Sequence, residues 1–494
     1  MYTAEICLNC NSEIVIPILD QKEKYVCPCP YCNIQINVCK NQFLQIDFDL
    51  NQPKDIICID FGTSSLRAAI QKTTITASPI EIGKQFQSQI DDLSIPSAIW
   101  VSDDGNFIEF GERAIQLGFN SAKNKNLLFD ISPKKWLTNG SEIYDIDEPI
   151  VKNGITKAHL ISGLISLAIF GISKELNISI EKLRKCEIRI SHPIWDKKIK
   201  NKLQIVLDKL LSDSFVIWDK AIYGIKAKEL SSMLNKRVAS IVFSRQEVAE
   251  PIAAAISLFE EFDNSMAFVV VIDVGAGTTD MAAFYSTVPD SETRGALSGK
   301  YKRQLLPLGM PLSIFKAGDY IDDVIMEIMF KKIVGLSSTQ KQDLLNRRRS
   351  IKESLFKFSK TFEYGKEVSY QEIINHTNIK EFIKEIRKNF VSLIGSCEDS
   401  LAPRIQSNAI HRINSVKVVF AGGGGKIEFL RNAIGEKIDI NKTVIPIDVV
   451  DIAKTNKLHP LIERLAVSIG GTTHKDDWPK VTIAEIQSIR GLLL

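Results

Sequence analysis

Phe268-Val269-Val270-Val271-Ile272-Asp273-Val274-Gly275-Ala276-Gly277-Thr278-Thr279-Asp280 is the stretch that decides the fold. Five consecutive apolar residues read as a strand buried on both faces, and Asp273 stands at its end. A Gly/Thr turn follows, and residues 281–285 carry the chain back as a second strand. The same order occurs 213 positions earlier. There Asp55-Ile56-Ile57-Cys58-Ile59 runs into Asp60-Phe61-Gly62-Thr63-Ser64-Ser65, and the apolar alternation over 66–70 returns the chain. This is an internal duplication. Glycine lets each turn approach a phosphate, turn N–H groups can form an anion-binding nest, and an Asp at the strand end can hold Mg²⁺ through its waters. One Gly-rich hairpin is an ordinary turn; two with the Asp in the same place form a matched pair.

A third glycine cluster completes the set. Val416-Lys417-Val418-Val419-Phe420 reads as another buried strand, followed by Ala421-Gly422-Gly423-Gly424-Gly425 and a helix opening at Lys426-Ile427-Glu428. A G-x4-G-K-[ST] loop would need Gly at Phe420 and Ser or Thr at Ile427, and G-x-G-x-x-G would also need Gly at Ile427. Both are excluded. The cluster suits a nucleoside lying against bare backbone at a helix N-terminus.

Composition sets the outer bounds. A chain of 494 residues with 45% apolar content has material for roughly three packed units, at about 100–200 residues each, and excludes a mostly disordered protein. Basic and acidic residues number 62 and 59, a net of +3, so no chain-wide field draws it to nucleic acid or anionic lipid. The N-terminus lacks a basic, then apolar, signal pattern. The longest apolar stretch, 158–172, is interrupted by Ser162, Gly163 and Ser166 and is shorter than the ~18–20 residues of a membrane span. It reads as a buried helix in a cytoplasmic protein.

Six of the nine cysteines fall in the first 39 residues: Cys7, Cys10, Cys27, Cys29, Cys32 and Cys39. In a reducing compartment two C-x2-C pairs read as metal thiolates. Cys7, Cys10, Cys29 and Cys32 are therefore the expected ligands of a structural Zn²⁺, the staple that a unit of about 40 residues needs. Cys27 could substitute for Cys29, and Cys39 is an extra thiol. Residues 1–50 carry three Lys, no Arg and six Asp or Glu, the wrong sign for a nucleic-acid reader. Protein docking or a purely architectural role is expected of this ribbon.

Two Asp-Gly-Thr hairpins with a late Gly-Gly turn resemble the actin, sugar-kinase and heat-shock chaperone ATPase superfamily. Three segments resemble the nucleotide-binding domain of the 70-kDa heat-shock chaperones in particular. Ser94-Ile95-Pro96-Ser97-Ala98-Ile99-Trp100-Val101 with Phe110-Gly111-Glu112-Arg113-Ala114 is similar to I-P-S-x-V followed by x-G-x-x-A. Ala249-Glu250-Pro251-Ile252-Ala253-Ala254-Ala255 is similar to E-P-x-A-A-A, and Gly318-Asp319-Tyr320-Ile321-Asp322-Asp323 to G-x-x-x-x-D-D. The resemblance covers about 55–475.

It implies an α/β, two-lobed actin-like ATPase fold of duplicated ribonuclease-H-like lobes behind the four-cysteine ribbon. Boundaries follow: ribbon 1–40, linker 41–54, lobe I 55–265 with an outer subdomain near 86–150, lobe II 266–455 with a helical outer subdomain near 320–411, and 456–494 as return to lobe I and tail. It also implies ATP or ADP with Mg²⁺ as cofactors. Asp60 and Asp273 would flank the hydrated metal. Gly62, Thr63, Ser64, Gly275, Ala276, Gly277 and Thr278 would meet the phosphates. Glu250 would orient the attacking water, and Gly422, Gly423 and Gly424 would line the adenosine pocket with Lys352 on the facing helix. A catalytic lysine is expected in Phe129-Asp130-Ile131-Ser132-Pro133-Lys134-Lys135-Trp136-Leu137. Lys135 is taken for the role, although sequence leaves open which of Lys134 and Lys135 points inward. The run Arg347-Arg348-Arg349 reads as an exposed helix face rather than a nucleic-acid site.

About twenty residues follow Gly471, too few for the chaperones' client-binding sandwich, and the segment 459–470 lacks that family's late Asp. The expectation is a slow Mg²⁺-dependent ATPase switch that signals its nucleotide state to a protein partner through the ribbon or a lobe surface. A nucleotide-dependent actin-like filament or scaffold is the alternative, and a small-molecule kinase a further one; neither nucleic acid nor membrane is an expected partner.

Overall fold

Eight residues in a row, Ala267–Val274, are buried, and so are all six of Ile56–Phe61. Apolar runs covered on both faces form the central strands of sheets with helices on each side. The computed structural model describes most of 55–473 and the backbone of four strands ahead of it. Outside the description lie 1, 7–12, 18–23, 29–34, 40–54, 73–76, 87–90, 120–125, 138–141, 185, 194–196, 236–247, 260–266, 288–303, 407–412, 452–460 and 474–494.

The first sheet runs Val248–Ala249, Glu187–His192, Ile56–Phe61, Ser65–Gln71 and Ser78–Ile80, with Ser94–Pro96 also on Ser65–Gln71. The second runs Gln304–Ile314, Thr279–Thr287, Ala267–Val274, Val416–Ala421, Thr443–Val450 and Lys437–Ile440. Their centres have one plan. An antiparallel hairpin supplies the Asp-bearing strand, and that strand pairs in parallel with a later one, Glu187–His192 in the first sheet and Val416–Ala421 in the second. Because the plan repeats, the two turns sit at equivalent ends of their sheets.

Helices Glu250–Phe259 and Ile462–Gly470 lie in one apolar layer that holds Cys58 and Ala69 of the first sheet together with Val269, Val271, Phe284 and Val419 of the second. Their approach is close. A Cβ on Gly470 would stand 1.8 Å from the Ala253 carbonyl oxygen, so only glycine fits. Helix Lys157–Glu175 is the apolar stretch noted above, buried in the core of the first lobe. Among the described residues it is the one helix long and apolar enough to cross a membrane. Thr156 caps it, accepting from His159 N–H at 3.2 Å, a contact worth about 1 kcal/mol.

Above the first sheet, Asn126–Asp130, Ile99–Ser102, Phe107–Phe110 and Ile225–Lys226 form a four-stranded sheet under helix Gly111–Phe119. Its last strand comes from beyond helix Lys197–Val216. Above the second sheet stand helices Gly318–Lys332, Ser338–Phe358, Tyr370–Asn375, Thr377–Ser396 and Glu398–Gln406, with the hairpin of Lys360–Glu363 and Lys366–Ser369.

At the N-terminus Tyr2–Ile6 pairs with Glu13–Pro17 and Lys24–Pro28 with Gln35–Cys39, both antiparallel. Each hairpin brackets one of the cysteine pairs. Cys7, Cys10, Cys29 and Cys32, the expected Zn²⁺ ligands, lie outside the described residues, as do the linker 41–54 and the tail after 473.

Candidate functional site

The two turns are built alike and meet. Gly62 N–H donates to the Ser65 carbonyl and Gly275 N–H to the Thr278 carbonyl, each at 3.0 Å. A Cβ on Gly62 would stand 2.6 Å from the Ser65 carbonyl oxygen, so the first turn closes only on glycine. A Cβ on Gly277 would stand 2.9 Å from Thr63 Oγ1 and 3.3 Å from Lys135 Cε. Residues 63 and 277 therefore share one floor. Ser97 braces it: its Oγ donates to the Gly62 carbonyl at 2.9 Å and its N–H to the Ser64 carbonyl at 3.0 Å. On the far side, Gly318 and Asp319 N–H donate to the Gly275 and Ala276 carbonyls at 3.2 and 2.8 Å.

Strand register decides the charge beside each Asp. Asp60 faces Arg67 across the first hairpin, and Asp273 faces Asp280 across the second. Arg67 Nη1 lies 3.8 Å from Asp60 Oδ2, and Ser191 Oγ donates to Asp60 Oδ1 at 2.9 Å. Burial pulls the Arg67 guanidinium below its ordinary range, and Asp60 and Asp91 pull it back up. Asp273 has the opposite surroundings. Burial first, then the charges of Glu250, Asp280 and Asp60, hold its carboxyl well above the usual range, and Lys134 opposes them. Thr278 Oγ1 donates to Asp280 Oδ2 at 2.8 Å, so the hydroxyl expected on a phosphate is also a brace within its own hairpin.

Glu250 opens its helix beside this group, ion-paired with Lys134 Nζ and 3.5 Å from Ser191 Oγ. Burial raises its carboxyl to about 7, with Asp60 and Asp280 adding to the rise and Lys134 opposing it. With Asp273 and Glu250 both raised by burial and by neighbouring carboxylates, this is a place that gains from added positive charge. Among the described residues no three His, Cys, Asp or Glu side chains converge tightly enough to ligate an ion directly. The group fits a hydrated Mg²⁺ held through water, the mode that this small, reluctantly dehydrated ion favours.

The two lysines separate. Lys134 is 11% exposed, paired with Glu250, and 5.9 Å above the Phe61 ring. Lys135 is 51% exposed, its stem over Gly277 and its ammonium 2.6 Å from Asp319 Oδ2. The lysine in the acidic cluster is thus Lys134 rather than Lys135. The short turn Pro133–Trp136 sends neighbouring side chains to different partners.

Gly422, at φ +78, carries the chain past Asp273: a Cβ there would stand 2.4 Å from Asp273 Oδ1. Gly424 N–H donates to the Val274 carbonyl at 2.9 Å, and a Cβ on Gly424 would meet Val274 Cγ1 at 2.5 Å. Nothing lies within 4 Å of a Cβ on Gly423, which leaves bare, open backbone. The helix after this turn is only Glu428–Ala433, starting two residues later than the sequence suggests. Gly422 N–H donates to the Glu463 carbonyl at 3.0 Å, and the buried Glu463 carboxylate meets Lys426 at 3.2 Å. Lys352 Nζ lies 3.0 Å from both the Gly318 carbonyl and Asp322 Oδ2. Arg347 pairs with Asp343 and Glu363, and Arg349 reaches Asp319 Oδ1 at 3.5 Å, so two members of the basic run are committed to acids rather than forming a solvated face.

Arg67, Ser191, Asp280 and Asp319 join the site without having been assigned to it from sequence, and Lys134, left open there, is placed beside Glu250. Two had a legible signal. Arg67 and Asp280 each stand seven residues after the hairpin Asp, the spacing that a tight turn converts into cross-strand pairing. Asp319 stands in the segment 318–323 singled out above, without its partners being legible, and Ser191, from a distant strand, had no signal.

No family model matches the chain. A 245-residue stretch, 46% of the chain, is 24% identical to the actin-like protein MamK of Paramagnetospirillum magneticum AMB-1, covering 59% of that protein. A 230-residue stretch, 44% of the chain, is 24% identical to the actin-like protein MamK of Magnetospirillum gryphiswaldense MSR-1, covering 54% of it. The matched region spans a little over half the length of these relatives. Their similarity supports an actin-like fold. It favours the actin-like branch over the chaperone branch suggested by residues 249–255.

Proposed function

We propose that this chain is a Mg²⁺-dependent ATPase of actin-like architecture whose nucleotide state governs its assembly with further copies of itself. One observation carries the ATPase reading: hairpins 213 residues apart put Thr63 against Gly277 and bring Asp60, Asp273, Asp280 and Glu250 into one electrostatic group with Lys134. The assembly reading rests on the similarity to actin-like proteins. A second reading, a switch sensed by a protein partner, keeps its support from the paired N-terminal cysteines and residues 249–255.

The residues divide the work. Amides of the two turns, with the Thr63 and Thr278 hydroxyls, would receive the phosphate oxygens. Bound Mg²⁺ would supply charge neutralisation there. Glu250, with its carboxyl near neutrality, can orient a water and accept its proton, and Lys134 beside it favours the ionised form that does so. The bare Gly423 backbone would take the nucleoside. Phosphoryl transfer needs such positioning more than a covalent nucleophile.

Equilibrium binding and hydrolysis of ATP with and without Mg²⁺ test the first part; neither activity in the folded chain removes it. Sedimentation with ATP, with ADP and without nucleotide tests the second. Nucleotide-dependent pelleting that Asp273→Asn abolishes supports assembly, and a chain that hydrolyses ATP yet never pellets leaves the partner-sensed switch.

A further inference from the structure

Asp319 is a heavily engaged carboxylate where the two lobes meet. It opens helix Gly318–Lys332, and its N–H is tied to the Ala276 carbonyl at 2.8 Å, which fixes its backbone to the second phosphate turn. Its side chain is buried and points the other way, to the outer unit of the first lobe. Oδ2 accepts from Ser132 Oγ at 3.1 Å and from Lys135 Nζ at 2.6 Å. Oδ1 lies 3.5 Å from Arg349 Nη2, which itself donates to the Ile131 carbonyl at 3.1 Å and to Ser132 Oγ at 3.2 Å. Burial works against its ionisation, yet Arg349 and Lys135 hold the carboxyl below its ordinary range. It is a fixed negative charge.

Lys135 gains its position from this contact. Half of its side chain is exposed, and a lysine in such a setting samples many rotamers unless something holds its end. Here the stem crosses Gly277 beside Thr63, where the two turns meet. An ammonium has three donors. One contact to Asp319 leaves others for an oxygen above the turns.

We propose that Asp319 is a positioning residue, holding the Lys135 ammonium over the meeting point of the two phosphate turns so that it can bind a terminal phosphate oxygen of the nucleotide. This role rests on the ATPase reading above. The same carboxylate joins the outer unit of the first lobe to the second phosphate turn, so the lysine is in place only while the lobes are together.

The test is a double-mutant cycle in the full chain, read as ATP turnover at saturating Mg²⁺. Asp319→Asn is expected to lower kcat about tenfold with KM for ATP changed less than about twofold, because the contact matters where charge develops. Lys135→Met is expected to give a similar loss, and the double variant no further loss, since each change removes the same interaction. Asp319→Glu is expected to restore part of kcat. Should Asp319→Asn fail to fold, Ser132→Ala and Lys135→Met form the same cycle, again expected not to multiply. Single losses that multiply, or an Asp319→Asn chain that turns over like the wild type, overturn the role while leaving the ATPase reading standing. A folded wild type with no turnover overturns both.

Discussion

The first and second hairpins share a backbone plan and differ in one charge. Opposite Asp60 stands Arg67; opposite Asp273 stands Asp280. The first hairpin carries its own counter-charge and is close to self-sufficient. The second sets two buried acids opposite each other, and burial with the neighbouring carboxylates holds Asp273 well above its usual range. Duplication thus supplied two elbows of one backbone plan, and the residue across the strand gave one a basic and the other an acidic neighbour.

Asp60→Asn and Asp273→Asn are both expected to reduce ATP turnover by about 10²-fold or more, measured as phosphate release. Their effects on the nucleotide-free fold should be opposite. Asp60→Asn strips Arg67 of its nearest anion and is expected to cost about 2–4 kcal/mol by chemical denaturation. Asp273→Asn relieves repulsion and is expected to be neutral or stabilising by about 1 kcal/mol, the usual trade between stability and function. Equal destabilisation by the two changes would contradict the distinction.

Glycines of the third turn sharpen the same contrast on the side of the second hairpin. Gly422→Ala forces a Cβ at φ +78 to 2.4 Å from Asp273 Oδ1 and is expected to destabilise by about 2–3 kcal/mol. Gly423→Ala meets nothing within 4 Å. Its melting should stay within about 0.5 kcal/mol of the wild type, so any loss of nucleotide affinity, read by titration, reports the nucleoside's place directly.

The smallest effect is on pH. The Glu250 carboxyl is raised from an ordinary 4.5 to about 7, so its contribution to stability is fully present below about 4.5 and is lost as pH rises through about 7. The nucleotide-free chain is expected to lose melting temperature across that window, and Glu250→Gln to flatten the profile. Mg²⁺ with nucleotide should flatten it as well. A profile identical in wild type and Glu250→Gln would place the titration elsewhere.

The strands and both turns were legible because their signals are local: an apolar run, an Asp and a glycine within a dozen residues. Buried strands tolerate few other readings. What sequence left open depends on contacts between remote elements. Lys135 meets Asp319 across 184 positions, and Ser191 meets Asp60 across 131. Neither pairing has a spacing that could announce it. The choice between Lys134 and Lys135 was open for a related reason: a short turn aims neighbouring side chains apart, and only their remote partners, Glu250 for Lys134 and Asp319 for Lys135, tell them apart. Nor could sequence announce that Ile225–Lys226, two residues long, returns from another part of the chain to pair with Phe107–Phe110.

Titration of the nucleotide-free chain with Mg-ATP, beside Asp60→Asn and Asp273→Asn, bears most directly on the claim that both hairpins hold one nucleotide. A single nucleotide per wild-type chain is expected, with affinity falling at least about tenfold in each variant. Unchanged affinity in either variant, or two nucleotides per chain, would contradict it.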